Sequence, residues 1–297
     1  MVNKKMNSSN KKCLLIDGNN LLYSSYHAVQ SLPFSISYGA IFFFLRVLIS
    51  VLKKNDYQKL LIFFDGGGTN FRESLLPRYK AQREKMPSEL FEQLEILREL
   101  LKKTDLICFQ LSNCEADDLI ASFVAQSLKK YPHFQFSIFS RDKDLMQLLS
   151  PNINILKYNK EKKMVLYNEW SFFQEYGFSP LNYVDYLSLI GDSVDNIEGV
   201  KGIGPVGAKK LIQQFGTVEN IYQKLDQLST KTQKLLENQQ EIVYRNKKII
   251  SLVKNIVLLA DIDQKCEFEW EKWKNNPHLK SFCENNRFKS ILKLLLK

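Results

Sequence analysis

Residues 59–65 read KLLIFFD, a continuous apolar run that ends at an acid, and this pattern decides the fold. Comparable short runs, most of them separated by helical patterns, occur at residues 13–16 (CLLI), 106–109 (LICF), 134–139 (FQFSIF) and 153–156 (INIL). Continuous apolar strands that alternate with helices are typical of a mainly parallel sheet whose strands are buried on both faces. The sequence therefore predicts an α/β domain with flanking helices over residues 12–180.

The pattern becomes helical after Gly177. A helical stretch (SPLNYVDYLSLIG) precedes a glycine-rich turn (GVKGIGPVG), and a long polar helix is expected around residues 231–253. The sequence predicts a second, all-α domain over residues 181–297. Taken alone, the glycine-rich turn also fits a nucleotide-phosphate cradle, but it lacks the G-x-x-x-x-G-K-[ST] spacing of a P-loop.

Composition limits the class of protein. The chain has 297 residues, of which 44% are hydrophobic and 25% are charged, as in ordinary globular proteins. Disordered, collagen-like and small disulfide-stabilised chains are therefore excluded. The five cysteines are odd in number and include no C-x-x-C pair, which favours a reducing, cytoplasmic setting.

No stretch of the sequence predicts membrane insertion. The basic residues 1–12 are followed by only a short apolar run, so we expect no signal peptide. The apolar run at residues 41–52 (IFFFLRVLISVL) is shorter than the roughly 20 residues that a spanning helix needs, and it contains Arg46. It is expected to form a buried core helix, and no membrane partner is expected.

The chain is basic, and most of its surplus charge lies in the last third. The formal net charge is +10, and residues 201–297 hold 18 Lys/Arg against 10 Asp/Glu. This balance predicts a polyanionic partner, but charge alone leaves nucleic acid, the ribosome and a membrane surface open.

Acids recur where predicted strands and helices end or begin. In an open α/β sheet, ligands collect outside the carboxyl ends of the strands, so the residues that follow each strand are informative. The acids at these positions are Asp17, Asp65, Asp142 and Asp144 after strands, Glu115, Asp117 and Asp118 at a helix start, and Asp192 and Asp195 after a later helix. Because they come from separated segments, we expect them to meet at one edge of the sheet.

Two interpretations of these acids are available. Carboxylates favour helix N-termini, which accounts for any one of them. It does not account for the whole set, because so many converging carboxylates would repel one another unless cations lay among them. Oxygen-only ligands suit Mg²⁺ or Mn²⁺ rather than zinc, and His27, His133 and His278 are too scattered to form a ligand set. A basic protein with such a site has the pattern of a nuclease.

Five sequence blocks carry a family resemblance across residues 14–215. They are LLIDGNNLLY, FFDGGGTNFRESLLPRYKAQREKMP, EADDLIASFV, SRDKDLMQLL and YLSLIGDSVDNIEGVKGIGPVGAKKLI, in this order. The sequence resembles the 5′ nuclease domain of bacterial DNA polymerase I, a branch of the flap endonuclease family. No polymerase domain follows in this sequence, so it resembles a free-standing 5′–3′ exonuclease. The resemblance implies a PIN-like or resolvase-like core, a helical arch at residues 72–100 and a helix-hairpin-helix at residues 185–215.

The resemblance also implies a role for each acid. The acids matching Asp17, Asp65, Glu115 and Asp117 would surround one metal ion. Those matching Asp118, Asp142, Asp144, Asp192 and Asp195 would lie around the second ion or hold its water shell. The expected cofactors are two Mg²⁺ ions per site, with Mn²⁺ as a substitute.

Several residues are expected to contact DNA by the same resemblance. Lys80 and Arg83 of the arch would face the scissile phosphate and assist catalysis, while Arg72 and Tyr79 would contact the DNA nearby. Tyr23 would stack on the terminal base. A solvated helix face remains the alternative for the basic arch segment, and an ordinary core aromatic remains the alternative for Tyr23.

The glycine-rich turn resembles a helix-hairpin-helix that binds the DNA backbone through phosphates and a K⁺ ion. The residues implied in this contact are Gly199, Lys201, Gly202, Gly204, Lys209 and Lys210. Glu198 stands where relatives usually have proline, and Ser24 stands where many have arginine. Neither position is a predicted metal ligand.

The expected function is that of a 5′–3′ exonuclease and structure-specific 5′ flap endonuclease. It would hydrolyse phosphodiesters at 5′ ends, flaps or nicks in DNA, including RNA-primed strands, and leave 5′ phosphate ends during primer removal and repair. We expect a monomer. Two alternatives stay open: a non-catalytic DNA-binding scaffold, and a ribonuclease on the related small nuclease fold found in toxins.

Overall fold

The computed structural model describes residues 11–32, 36–159, 161, 163–258 and 265–296. The chain forms two compact units. The first unit contains Met1–Gly66, Met86–Arg141 and Lys254–Lys297, and the second contains 67–85 and 142–253. Most of the N-terminal segment that we assessed for a signal peptide, residues 1–10, lies outside the described residues.

The strands, in chain order, are β1 (Lys12–Asp17), β2 (Lys59–Phe63), β3 (Ile107–Phe109), β4 (Gln135–Phe139), β5 (Ile153–Tyr158), β6 (Met164–Tyr167), β7 (Gly191–Asp192) and β8 (Ile197–Glu198). The helices are α1 (Gly18–Gln30), α2 (Gly39–Leu52), α3 (Phe71–Leu75), α4 (Ser88–Lys103), α5 (Ala116–Lys130), α6 (Glu169–Tyr176), α7 (Tyr183–Ile190), α8 (Pro205–Phe215), α9 (Val218–Gln223), α10 (Thr230–Glu237), α11 (Gln240–Ile250), α12 (Trp270–Lys274), α13 (Pro277–Asn285) and α14 (Lys289–Leu296). Short 3₁₀ helices lie at Asp144–Leu148, Pro180–Asn182 and Leu225–Gln227.

The core of the first unit is a parallel sheet in the order β3, β2, β1, β4. Every residue of β2 is buried, and every residue of β1 after Lys12 is buried, because helices cover both faces of the sheet. Phe63 on β2 and Phe136 on β4 both pack against Phe123 on α5, with ring centroids about 6 Å apart. The predicted parallel α/β fold is confirmed.

Helix α2 is the apolar run that the sequence marked as a core helix. Most of its side chains are buried, including Ile41, Phe44 and Leu48. Within the residues that the structure describes, no helix has both the length and the apolar character needed to cross a membrane.

Residues 254–297 group with the first unit rather than with residues 142–253. Backbone hydrogen bonds explain this grouping, because Leu60 N–H donates to the carbonyl of Cys266, and Phe268 N–H donates to the carbonyl of Gln58. The Nζ of Lys59 also lies 2.8 Å from Glu267 Oε1. The compact units therefore divide the chain differently from the predicted boundary between residues 180 and 181.

The second unit combines two small antiparallel pairs with helices. Strands β5 and β6 pair with Ile155 opposite Tyr167, and β7 and β8 pair with Gly191 opposite Glu198. The helices α7 and α11 pack together, and the buried amide of Asn246 on α11 donates to the carbonyls of Ser188 (3.1 Å) and Glu198 (2.7 Å).

The prediction of one long polar helix over residues 231–253 is wrong. The chain forms α10 and α11 instead, with Asn238 and Gln239 between them. Gln239 leaves helical geometry, and its side chain bonds the backbone of Lys201: its Oε1 accepts from Lys201 N (2.8 Å) and its Nε2 donates to Lys201 O (3.3 Å). The break is therefore tied to the glycine-rich turn, a contact that helical periodicity does not reveal.

Candidate active site

The first unit contains a cluster of three carboxylates at the start of α5. One ligand oxygen from each of Glu115, Asp117 and Asp118 can be chosen so that all three lie within 4.8 Å of one another. The sequence places them there because the chain turns into α5 after Glu115, and acids in the first turn favour the helix dipole. Asp118 groups here with Glu115 and Asp117, whereas the resemblance assigned it to the second metal ion.

Asp17 and Asp65 tie the ends of two strands to helix N-termini in the same unit. Asp17 ends β1 and caps α1, accepting from Asn20 N at 3.0 Å, and its other oxygen accepts from the hydroxyl of Ser140 at 2.9 Å. Asp65 follows β2, and its Oδ1 accepts from the amide of Ala116 at 2.8 Å. Asp65 therefore lies beside the first residue of α5, next to the carboxylate cluster.

Sequence reasoning missed three polar residues that hold this edge of the sheet. Asn19 Oδ1 accepts from Asp65 N (3.0 Å), Asn20 Oδ1 accepts from Arg141 N (3.1 Å), and Ser140 binds Asp17. The available signal was their position, because each follows a strand directly or by a few residues. They orient carboxylates and loops, as outer partners of metal ligands commonly do.

The second unit contains another carboxylate cluster, formed by Asp144, Asp192 and Asp195. One ligand oxygen from each lies within 4.8 Å of the others. Asp192 accepts from Val194 N at 2.9 Å and pairs with Lys143 Nζ at 3.1 Å. Among the described residues, Asp144 Oδ1 is a buried oxygen without a hydrogen-bond partner.

The acids of this second unit carry raised pKa values. Burial raises the pKa of Asp142, the amide of Asp144 lowers it, and the carboxylate of Asp195 raises it further. Burial and then the carboxylates of Asp142, Asp195 and Asp192 raise the pKa of Asp144 well above its ordinary value. Crowded carboxylates of this kind are stabilised in their charged form by a cation.

The residues present fit an oxygen-liganded divalent cation. Both clusters consist of carboxylates, and within the described chain no histidine or cysteine belongs to either of them. The unpartnered oxygen of Asp144 is an open ligand atom in a buried position, which costs free energy unless a donor or a cation satisfies it. Hard oxygen ligands are those that Mg²⁺ and Mn²⁺ take.

The basic segment after α3 belongs to the second unit and lies on Asp195. Arg83 Nη2 is 2.5 Å from Asp195 Oδ1, and the amide of Lys80 donates to the carbonyl of Asp195 at 3.0 Å. Lys80 Nζ lies 4.8 Å from the centroid of the Tyr79 ring. The structure therefore places the guanidinium of Arg83 and the backbone amide of Lys80 beside an acid of the second cluster.

Two residues predicted to contact DNA are buried within the second unit. Arg72 is only 2% exposed, and its guanidinium donates to the backbone carbonyls of Ile249 (2.7 Å) and Ser251 (3.4 Å). Tyr79 is 7% exposed, and its hydroxyl lies 3.5 Å from Asp195 Oδ2. Both side chains bond within the second unit, and either would have to leave these partners to reach a phosphate or a base.

Tyr23 lies on α1, the helix that begins directly after Asp17. Its side chain is partly exposed, so it retains a surface for stacking. The structure assigns it no role beyond this position.

The glycine-rich turn runs from β8 into α8. Gly199 is required by close approach, since a Cβ there would lie 2.3 Å from the backbone of Ile190. Gly202 has a φ of 92°, a conformation that side chains other than glycine rarely adopt. Gly204 caps α8, whose first residue is Pro205, so the exposed start of this helix presents backbone amides to solvent.

The lysines of this turn differ in exposure and in hydrogen bonding. Lys201 and Lys210 are exposed, whereas Lys209 Nζ donates to the carbonyl of Glu175 at 2.9 Å. Gln239, the residue before α11, bonds the backbone of the turn at Lys201, and Asn246 on α11 bonds the carbonyl of Glu198 just before the turn. Sequence reasoning missed both residues. Neither residue carries a charge or a motif that marks it.

A basic chain with a parallel α/β unit, carboxylate clusters beside the strand ends and an exposed glycine-rich turn has the features of a nuclease. The chain belongs to the 5′–3′ exonuclease family: family models described as "5′-3′ exonuclease, N-terminal resolvase-like domain" and "5′-3′ exonuclease, C-terminal SAM fold" match residues 12–177 and 178–276. The resemblance found in the sequence is confirmed.

Relatives support this membership. The chain is 36% identical over 265 residues to a 5′-3′ exonuclease of Mycoplasma genitalium, covering 86% of this chain and 88% of that protein. It is 33% identical over 250 residues to DNA polymerase I of Borreliella burgdorferi, where the match covers 83% of this chain but only 27% of the polymerase.

Solved structures share the fold. The T5 D15 protein co-crystallised with metal ions has a TM-score of 0.67 at 22% identity, covering 96% of this chain and 100% of that one. The catalytic core of Rad2 in complex with a DNA substrate has a TM-score of 0.57 at 17% identity, covering 97% and 92%. At these identities the likeness shows the fold alone.

Proposed function

We propose that this chain is a 5′–3′ exonuclease and 5′ flap endonuclease that hydrolyses DNA at 5′ ends, flaps and nicks, including RNA-primed strands. It would act as a monomer in the cytoplasm, in primer removal and repair. The observation that carries the proposal is the pair of oxygen-only carboxylate clusters, one of which includes the unpartnered buried oxygen of Asp144. The names of the relatives, 5′-3′ exonuclease and DNA polymerase I, support the reaction class.

The clusters are proposed to hold two Mg²⁺ ions, with Mn²⁺ as a substitute. Glu115, Asp117 and Asp118 would hold one ion, with Asp17 and Asp65 supporting the same edge of the sheet. Asp144, Asp192 and Asp195, with Asp142, would hold the other. When bound, the ions supply Lewis-acid activation of the attacking water and neutralise charge at the phosphate.

The reaction is a hydrolysis in which a water oxygen forms a bond to phosphorus and the bond from phosphorus to the 3′ oxygen breaks. The proton ends on the 3′ oxygen, and the phosphate stays on the 5′ end of the shortened strand. Lys80 and Arg83 would hold the phosphate and stabilise its negative charge in the transition state. Both belong to the segment that lies on Asp195.

The glycine-rich turn would hold the duplex by its backbone, with no reading of sequence. The exposed Lys201 and Lys210, the turn around Gly202, and the first amides of α8 would face phosphates, with K⁺ bound at carbonyls of the turn. Tyr23 on α1, whose side chain is partly exposed, would stack on the terminal base, because aromatic stacking is possible on any base.

The test is cleavage of a 5′-labelled flap and of a nicked duplex with Mg²⁺ and with EDTA. We expect Mg²⁺-dependent release of short 5′ products that falls at least about a hundredfold in Asp144→Asn, since removal of a metal-binding carboxylate disables the ion. Asp56→Asn is the matched control, because Asp56 is an exposed acid outside both clusters.

Two results would contradict the proposal. Tight flap binding without cleavage in either Mg²⁺ or Mn²⁺ would indicate a DNA-binding scaffold. Faster cleavage of structured RNA than of a DNA flap would indicate a ribonuclease.

A further inference from the structure

Two short segments of the second unit lie against each other. We call residues 78–83 the arch strip and residues 192–198 the acid loop. Hydrogen bonds join them from Lys80 N to Asp195 O (3.0 Å), from Asn196 Nδ2 to Arg78 O (2.7 Å), and from the side-chain amide of Gln82 to Ser193 O. The arch strip is thus held along its length by two backbone carbonyls and one side-chain amide of the acid loop.

Charged contacts reinforce this docking at both ends of the strip. Arg83 Nη2 lies 2.5 Å from Asp195 Oδ1, and Arg78 Nη2 lies 3.5 Å from Glu198 Oε1. The two ion pairs differ in surroundings. The Asp195 side chain is only 8% exposed, whereas both members of the Arg78–Glu198 pair are mostly exposed. The first pair should therefore contribute more to the docking than the second.

The negative charge of the Asp195 carboxylate takes part in two interactions. It pairs with Arg83, and it belongs to the cluster with Asp144 and Asp192. A divalent cation at that cluster would reduce the negative charge that attracts the guanidinium. Because the coupling of two binding events is reciprocal, Arg83 must in turn weaken cation binding at the cluster.

The side chains also differ in how readily they can move. Asp195 is fixed on the acid loop and buried, while the Arg83 side chain is 48% exposed and can turn towards solvent or an incoming phosphate at small desolvation cost. Lys143 pairs with Asp192 in the same cluster, but it precedes the 3₁₀ helix that begins at Asp144 and lies outside the arch strip. Of the two cations, Arg83 is the one that belongs to the strip, so its release would loosen the docking of the strip.

We propose that Arg83 exchanges partners, leaving Asp195 when a divalent cation binds the Asp144–Asp192–Asp195 cluster and so becoming available to the scissile phosphate. The inference rests on the proposed function, because it takes this cluster as a cation site. It makes cation binding the step that releases the Arg83 side chain and loosens the arch strip, so that substrate meets a free guanidinium only at a loaded cluster.

The test is calorimetric titration of the full-length chain with Mg²⁺, without DNA. We expect Arg83→Gln to bind Mg²⁺ roughly fivefold more tightly than the wild type, since it removes a competing cation. Arg78→Gln is the matched control, because it breaks the exposed pair with Glu198 and leaves Asp195 untouched, and its affinity should stay within about twofold. Asp144→Asn identifies which part of the heat belongs to this cluster.

Hydrogen exchange gives a second readout that does not depend on activity. With Mg²⁺, the amide of Lys80, which donates to Asp195, should exchange faster, while peptides from β5 serve as an unchanged reference. Weaker Mg²⁺ binding by Arg83→Gln would overturn the exchange of partners and show that Arg83 supports Asp195 as a ligand. Unchanged or slower exchange at the arch strip would overturn it as well. If Asp144→Asn and the wild type gave the same isotherm, the cation site itself, and hence the proposed function at this cluster, would fail.

Discussion

Asp144 holds the most crowded charge of the second cluster. Its buried Oδ1 has no hydrogen-bond partner among the described residues. Burial is the largest cause of the raised pKa of Asp144, and three neighbouring carboxylates raise this pKa further. The same atom that suits a cation therefore destabilises the folded chain in its absence. At this residue, the proposed role as a cation ligand opposes the stability of the fold.

We therefore predict that Asp144→Asn stabilises the protein in EDTA, although it lowers Mg²⁺-dependent cleavage at least about a hundredfold. Removing one charge from this group should raise the free energy of unfolding by roughly 1–2 kcal/mol and the melting temperature by about 2–4 °C. Calorimetry in EDTA measures this directly. Asp192→Asn is the control, since Asp192 is paired with Lys143 and its loss should not stabilise. A melting temperature of Asp144→Asn below that of the wild type would refute the argument.

At the scale of elements, one lysine joins three helices of the second unit. Lys247 on α11 lies 2.6 Å from Asp185 Oδ1 on α7 and 2.8 Å from Glu219 Oε2 on α9. Burial lowers the pKa of Lys247, but its hydrogen bonds to both acids outweigh burial and raise it. Burial likewise raises the pKa of Glu219, and the hydrogen bond from Lys247 reverses this and lowers it.

Lys247→Met should lower the free energy of unfolding by about 2–3 kcal/mol at pH 7, because Asp185 is left buried without its cation. The lowered pKa of Glu219 means that its contribution is present above pH 4.5 and is lost as the pH falls through its folded value. The raised pKa of Lys247 means that its contribution persists up to pH 10.5 and is lost as the pH rises further.

The difference in the free energy of unfolding between wild type and Lys247→Met should therefore be constant near neutral pH and should shrink below pH 4.5 and above pH 10.5. Urea unfolding across pH checks it. Lys248→Met on the same helix is the control, because Lys248 is exposed. A difference that grew as the pH fell below 4.5 would contradict the assignment.

A second prediction at this scale concerns Gln239, at the junction of α10 and α11. Gln239 bonds both backbone groups of Lys201, so Gln239→Ala should loosen the glycine-rich turn and weaken binding of a nicked duplex about three- to tenfold. Fluorescence anisotropy in EDTA isolates binding from cleavage. Gln233→Ala on α10 removes only a local bond to Glu237 and should bind like the wild type. Equal losses in both variants would argue against a specific role for Gln239.

At the scale of the whole molecule, the charge distribution predicts how DNA binding responds to salt. The net charge is +10, with most of the surplus in residues 201–297, so binding should weaken steeply as KCl rises. Lys210→Gln should reduce the slope of log affinity against log salt by about 1, because Lys210 is exposed at the turn. Lys163→Gln, whose lysine pairs with Glu161 at 2.9 Å, should leave the slope unchanged. Equal slopes for the wild type and Lys210→Gln would remove this lysine from the interface.

The sequence predicted what local pattern and motif determine. The parallel strands, the core helix α2 and the family could all be inferred, because apolar runs and multi-residue blocks leave few alternatives. Contacts between residues that are distant in the sequence could not be inferred. Arg72 has the appearance of a phosphate ligand until its carbonyl partners at Ile249 and Ser251 are known, and they lie more than 170 residues away. The same limit hid the docking of Tyr79 on Asp195 and of Gln239 on Lys201.

The pairing of β2 with residues near Cys266 has a consequence for synthesis on the ribosome. Strand β1 is made first, but its neighbours β2 and β4 are completed only at Phe63 and Phe139, and the backbone bonds from Leu60 and Phe268 close later still. The first unit cannot be finished until Phe268 has left the exit tunnel. The backbone groups of Gln58 and Leu60 that bond residues near Cys266 therefore stay without these partners through most of translation, which makes this unit slow to complete while the chain grows.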